Sequence, residues 1–207
     1  MAQELTPEFP LFPLGLVALP SEMVPLHIFE DRYKAMMEHC LAVSGEFGIV
    51  WMAEDELHQT GCACEIEQVL ERMDDGRMNL VSRGTRPFRI LERQSHLPYP
   101  AGVVVFLEDE PEEIEPEVLA TARGIYADLV KRATDRELTA AELDELDAYG
   151  MAATVDFGLE AKQGLLDLRS ENARLRLVTR LFRAATRRLD FVDRAQARAR
   201  SNGKVRF

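Results

Sequence analysis

Few side chains in this 207-residue sequence are of the types and spacings that do chemistry. Cys62 and Cys64 stand two apart in a β-type run, so both thiols face one side of a strand, and Cys40 from a helical run could join them. Three thiolates would suit a soft metal, but a structural zinc site takes four ligands, and strand cysteines more often serve as small buried hydrophobes. His27 and Glu30, with Asp31 beside them, could share one face of a helix as metal ligands. No second ligand cluster accompanies them, and acidic residues in a first helical turn already have a role at the positive end of the dipole. His39 is a neighbour of Cys40 in sequence only. Arg83, Arg86 and Arg89 recur along a strand and could present a stripe to RNA or to peptide carboxylates, although such a stripe is more commonly a solvated face.

What is missing narrows the chemistry further. There is no Gly-x-x-x-x-Gly-Lys-Ser/Thr phosphate cradle and no Gly-x-Ser-x-Gly nucleophile elbow, and none of the four lysines (Lys34, Lys131, Lys162, Lys204) sits in a Ser-Lys dyad context. ATP hydrolysis and serine hydrolysis are therefore disfavoured. No catalytic residue, metal ligand or cofactor-binding residue is nominated, and the expectation is a protein that is not an enzyme and carries no cofactor. The odd count of three cysteines, with two of them adjacent on one strand, predicts reduced thiols rather than disulfides.

These side chains must be positioned by a chain of ordinary globular composition, with 46% hydrophobic and 29% charged residues, so extensive disorder is ruled out. No apolar run approaches the length of a membrane span, and the first residues lack the basic region and apolar stretch of a secretory leader. A cytoplasmic location away from the membrane is the default. The net charge of −11 is unevenly spread: residues 169–207 hold 12 basic and 3 acidic residues, and the remainder carries −20. Most of the surface should then repel nucleic acid, and only the C-terminal end attracts it. The basic tail from Arg194 to Phe207 is a candidate interaction arm or simply a frayed end.

The first half reads as about five or six short strands. Phe47–Met52 suits a strand buried on both faces, Cys62–Leu70 alternates, and Phe88–Glu92 and Val103–Leu107 continue the series. Asp74-Asp75-Gly76 between Ile66–Arg72 and Met78–Val81 marks a tight hairpin, because Asp-Gly supplies positive φ. One amphipathic helix interrupts at Ile28–Leu41, with Pro25 before it. Residues 108–117 carry seven acidic residues and two prolines and mark a boundary. Helices follow near 117–132, 139–156 and 171–200, with a short one at 161–169; Thr139 and Glu142 form a capping box. Along the last helix, Leu175, Val178, Leu181, Phe182, Ala185 and Leu189 make one apolar stripe opposite an arginine-rich face.

Several runs together carry a resemblance. Phe9-Pro-Leu-Phe-Pro-Leu14, Leu19-Pro20, Pro25-Leu-His-Ile-Phe-Glu-Asp-Arg-Tyr33, Gly61–Ile66, Asp75–Leu80, Arg83–Glu92 and Gln163–Leu168 resemble, in order and approximate spacing, the Lon protease N-terminal (substrate-binding) domain. The resemblance implies an α+β fold: an N-terminal β-barrel or sheet of pseudouridine-synthase-and-archaeosine-transglycosylase (PUA)-like topology with one helix over residues 1–110, and a C-terminal helical bundle over 111–207. It also implies that Phe29 and Tyr33 sit on the helix face toward the sheet. It further suggests a bacterial Lon-domain protein without the ATPase and peptidase domains, a non-catalytic module in protein quality control. Its partners would be unfolded or partly folded polypeptides, with a protein partner or a second copy as further candidates and RNA binding by a PUA-like sheet as the alternative. Met23, Met36, Met37 and Met52 are flexible apolar side chains that suit varied clients, or that fill the core. No binding residue is assigned from the sequence.

Overall fold

A computed structural model describes residues 4–54 and 56–202, the side chains of 193 and 196–202 excepted. Among the described residues seven strands form the first half: β1 (Leu5–Leu14), β2 (Met23–Ile28), β3 (Phe47–Ala53), β4 (Glu56–Leu57), β5 (Thr60–Arg72), β6 (Met78–Gln94) and β7 (Ala101–Phe106). The hydrogen-bonded order β1-β7-β6-β5-β3 closes on itself, because β3 also pairs with β1 in parallel, Leu11 opposite Gly48 and Leu14 opposite Trp51. Closure removes the sheet edges that five open strands would expose. The interior is filled by Phe9, Leu11, Val50, Ala63, Phe88, Ile90 and Val104, with Phe9 set edge-on to Phe88 at 5.2 Å between ring centres.

The long β6 does two jobs. Its C-terminal part pairs with β7 inside the barrel, and its N-terminal part, Met78–Arg83, pairs with β2, so that β5, β6 and β2 continue as a three-stranded ribbon. The β5–β6 connection is the anticipated hairpin: Gly76 has φ of +80°, and the Met73 and Arg77 backbones close the loop through Met73 N–H to Arg77 O at 2.9 Å. A type I turn followed by a left-handed residue requires this geometry, which glycine adopts without a Cβ clash.

Helix α1 (Asp31–Val43) buries Tyr33, Met36, Met37 and Cys40. Tyr33 meets Phe12 of β1 at 4.3 Å between ring centres, and Lys34 and Glu38 tie the helix to the hairpin through the Asp75 carbonyl and Arg72. Two expectations are corrected here. The helix starts at Asp31, not Ile28, because residues 23–28 are consumed by pairing with β6 as far as Ile28 opposite Met78. Phe29, expected against the sheet, lies in the turn before the helix and is 59% exposed.

The remaining elements are α2 (Pro116–Thr134), α3 (Ala140–Asp144), α4 (Ala148–Ala152), α5 (Leu159–Asp167) and α6 (Glu171–Asn202). The chain divides into two compact units, one running up to Pro111 and including Ala152–Ser170, the other made of Glu112–Met151 and the chain from Glu171. Within the first, α5 packs on β5: Gln163 donates to the Thr60 carbonyl at 3.2 Å, and Lys162 pairs with Glu22. Within the second, α2 and α6 lie side by side, burying Ala122, Tyr126 and Leu129 with Leu175, Val178 and Phe182. The helix expected over 139–156 is two helices. Its capping box forms as anticipated, but the chain turns after Asp144, Arg123 takes up the released Asp144 and Leu146 carbonyls, and the Asp147 carboxylate receives the Gly150 N–H at 2.7 Å. The segment 194–207 singled out as a basic arm is helical to Asn202; residues 203–207 lie outside the described residues.

Candidate functional site

The ribbon presents two chemically different faces. Along β2 the burial alternates strictly, with Val24, Leu26 and Ile28 inside and Met23, Pro25 and His27 outside. The opposing β6 follows suit, with Met78, Leu80 and Ser82 buried. The inner face therefore belongs to the fold, while the outer face is free to meet another molecule. On that outer side Met23 is 50% exposed, and on β5 Leu70 is 57% exposed. Phe29, just beyond β2, stacks on the His27 ring at 5.8 Å between centres.

Beside Leu70 the surface dips into an open depression of about 700 Å³, lined by Pro25, Leu26, His27, Leu70, Glu71, Asn79 and Leu80. A short polar chain crosses it. The Asn79 side-chain nitrogen donates to Glu71 at 2.9 Å, which leaves the Asn79 oxygen to accept from His27 Nδ1 at 2.6 Å. Because the Asn79 oxygen can only accept, a neutral His27 ring bonded in this way carries its proton on Nδ1 and has Nε2 as an acceptor. Arg83, opposite Met23 on the same ribbon, is paired with Glu67 at 3.3 Å and with Glu65; these hydrogen bonds and charges raise its already high pKa. The charge of Arg83 is thus balanced locally.

The residues singled out from the sequence separate. His27 and Glu30 do not share a helix face: His27 is on β2, and Glu30 precedes α1 and pairs with Arg32 at 2.8 Å. His39 packs against Tyr99 at 5.9 Å between ring centres. Cys62 and Cys64 are close neighbours and fully buried on β5, whereas Cys40 donates toward the Glu46 carbonyl at 3.9 Å. Among the described residues no group of three or more His, Cys, Asp and Glu is placed to hold a metal ion. Burial pushes the Cys40 thiol up to about 11, and burial together with the Cys64 hydrogen bond pushes Cys62 upward too. Both are inert packing groups at neutral pH.

The arginine stripe is largely neutralised. Arg83 is held by two glutamates, and Arg86 pairs with Glu46 at 2.8 Å while its guanidinium lies 3.7 Å over the Phe106 ring. The methionines divide cleanly, Met36 and Met37 completely buried, Met23 and Met52 exposed. Sequence reading missed Phe29, Leu70 and the His27–Asn79–Glu71 chain. The usable signal was the alternation of residues 23–28, which fits an edge strand bearing a proline better than a helix start.

The fold has known counterparts. A family model described as the ATP-dependent protease La (LON) substrate-binding domain matches residues 8–184. The chain belongs to that family. Its relatives include the Lon protease of Flavobacterium johnsoniae, 23% identical over 96% of this chain, and Lon protease 2 of Myxococcus xanthus, 25% identical over 87%. The chain spans about a quarter of the length of these Lon relatives, 26% and 24%. Among solved structures, a Lon N-terminal domain protein from Xanthomonas campestris is 26% identical with a TM-score of 0.63, over 82% of this chain and 95% of that one. The N-terminal domain of the Mycobacterium avium complex Lon protease, 23% identical with a TM-score of 0.63 over 84% and 97%, shares the fold. The α+β architecture is thus that of Lon N-terminal domains. Among the described residues no helix is long and apolar enough to cross a membrane.

Proposed function

We propose that this chain is a polypeptide-capture module that binds exposed apolar segments of unfolded or damaged proteins without cleaving them. One observation carries the reading: Leu70, 57% exposed, lines an open depression together with His27, on whose ring Phe29, 59% exposed, is stacked. Such side chains contribute nothing to the core in those positions, and an apolar surface rimmed by polar groups is the mark of an interaction site. Family membership supports the same reading, since its members are substrate-recognition modules.

The face suits clients of varied sequence. Thioether and aromatic side chains adapt to many apolar partners, and Nε2 of the exposed His27 ring offers one acceptor for a main-chain N–H of the bound segment. The test is titration of the purified chain with a reduced, alkylated protein and with the same protein in its native form, at low and high salt. Selective binding to the unfolded form that survives high salt supports apolar capture. Binding that collapses with salt would instead indicate phosphate or carboxylate recognition, and absence of binding to either form would overturn the proposal.

A further inference from the structure

The helical unit carries a second surface with different chemistry. On α6, Arg176, Arg180, Arg183 and Arg187 follow one another at intervals of four, three and four residues, which keeps them on one face over about 16 Å of helix. Arg176, Arg180 and Arg183 line a groove of about 370 Å³ between α6 and α2, together with Glu117, Val118, Thr121 and Thr179. All four arginines are exposed. Arg176 pairs with Glu115 at 2.5 Å. Arg180, Arg183 and Arg187 have no hydrogen-bond or ion-pair partner among the described residues, and Glu117 is the one carboxylate in the lining of the groove.

The protein itself displays what this row binds. The acidic strap before α2 runs along the start of α6. Glu112 accepts from the Asn172 backbone and side-chain nitrogens, both at 3.0 Å, and Asn172 in turn accepts the Glu115 N–H at 2.9 Å. One helical turn on, Glu115 occupies Arg176. The strap thus seats carboxylates on positions 172 and 176 and stops, while the same row continues through positions 180, 183 and 187 with nothing on it.

We propose that this row, centred on Arg180 and Arg183, is a docking site for an acidic extended segment of a partner protein, with carboxylates two residues apart. In an extended chain two residues span about 6 to 7 Å, and successive arginines on the row rise about 4.5 to 6 Å along the helix, so each carboxylate can meet a guanidinium fork. Single-stranded nucleic acid is the weaker match, because the groove lining holds no aromatic ring on which a base could stack. This site is independent of the apolar face.

The test uses the full chain and a fluorescent decapeptide of its own 108–117 sequence, with a control in which glutamine and asparagine replace the acidic residues. Binding at low salt by the acidic peptide alone, weakened about tenfold or more in Arg180→Glu/Arg183→Glu and unchanged in Phe29→Ser, is the expected result. The neutral Arg180→Gln/Arg183→Gln variant, with its melting temperature recorded, guards against an effect on folding. Equal binding of the control, tighter binding of a ten-nucleotide single strand, no binding at all, or a monomer–dimer equilibrium abolished by the same variants would each overturn the proposal.

Discussion

Replacing Phe29 with serine separates binding from folding. The ring is 59% exposed, its one aromatic contact among the described residues is the stack on His27, and it lies in the turn between β2 and α1. A phenylalanine offers about 200 Å², so about 120 Å² of this side chain is available to a ligand. At about 25 cal/mol/Å², complete burial would stabilise a complex by about 3 kcal/mol. A client that covers half of that surface gains about 1.5 kcal/mol, so Phe29→Ser should raise Kd about tenfold. Folding stability should change by less than about 0.5 kcal/mol, since the substituted side chain is largely solvated already. Leu70→Ser, at 57% exposure, should behave similarly, and the double variant should lose more binding than either. Fluorescence anisotropy against a reduced, alkylated protein gives Kd, and thermal melts give stability. Unchanged binding in the double variant would refute the assignment of this face. So would a loss of binding that merely tracks a loss of stability.

Four further outcomes test the fold. Gly84 lies against the Leu19 carbonyl and exchanges hydrogen bonds with Ser21 and Glu22 at 2.8 and 2.9 Å, so a Cβ there would displace the loop; Gly84→Ala should cost about 2 kcal/mol or more by denaturant titration. Lys162 and Glu22 are 14% and 15% exposed, and Glu22 also accepts the Leu19 N–H at 2.9 Å, so Lys162→Met should cost about 2 kcal/mol, lowering Tm by about 4 to 8 °C. Adding Glu22→Gln should recover part of that loss. The three buried cysteines should resist thiol reagents at pH 8 in the folded protein and react at once in guanidinium chloride. Because burial raises the Cys40 pKa from 9.0 to about 11, its contribution is complete below pH 9 and is lost as pH climbs toward 11; Cys40→Ala should flatten that decline.

Elements governed by local chemistry were legible in the sequence. The Asp75-Gly76 hairpin, the Thr139–Glu142 capping box and the long α6 depend on residues near one another in the chain, and all three form. Elements decided by distant pairing were not. Residues 28–30 carry helical spacing with the segment that follows, yet the ladder from Met23 opposite Arg83 to Ile28 opposite Met78 holds the first of them in a strand. Ladder hydrogen bonds and burial of Val24, Leu26 and Ile28 outweigh a weak local preference. The single helix expected at 139–156 failed for a related reason: Arg123, about 20 residues earlier, supplies donors to carbonyls that a continuous helix would have satisfied internally. The candidate site was illegible for the same cause. Phe29 and Leu70 look like core residues until the pairing ends β2 at Ile28, which leaves Phe29 in the connection to α1, and Leu70 falls on an exposed stretch of β5.

On the proposed reading, the neighbours of the apolar face would let it capture polypeptides without pairing with a second copy. Leu70 is bracketed on β5 by Glu67 and Glu71, and Glu65 and Glu67 hold Arg83 across the ribbon on β6, so charged groups rim the apolar side chains. Charges in such places discourage edge-to-edge pairing between copies. Pro25, in the middle of β2, removes a backbone donor from the outermost strand of the ribbon. An incoming polypeptide therefore finds a poor template for strand addition and a good apolar surface beside it. Recognition by side chains instead of by a backbone ladder gives short-lived contacts that tolerate many sequences, which is what capture of unrelated unfolded segments demands. It follows that Pro25→Val, which restores the donor and raises strand propensity, should tighten client binding while increasing aggregation of the protein on its own. A client affinity that rises without greater self-association would show that the proline does not guard this edge.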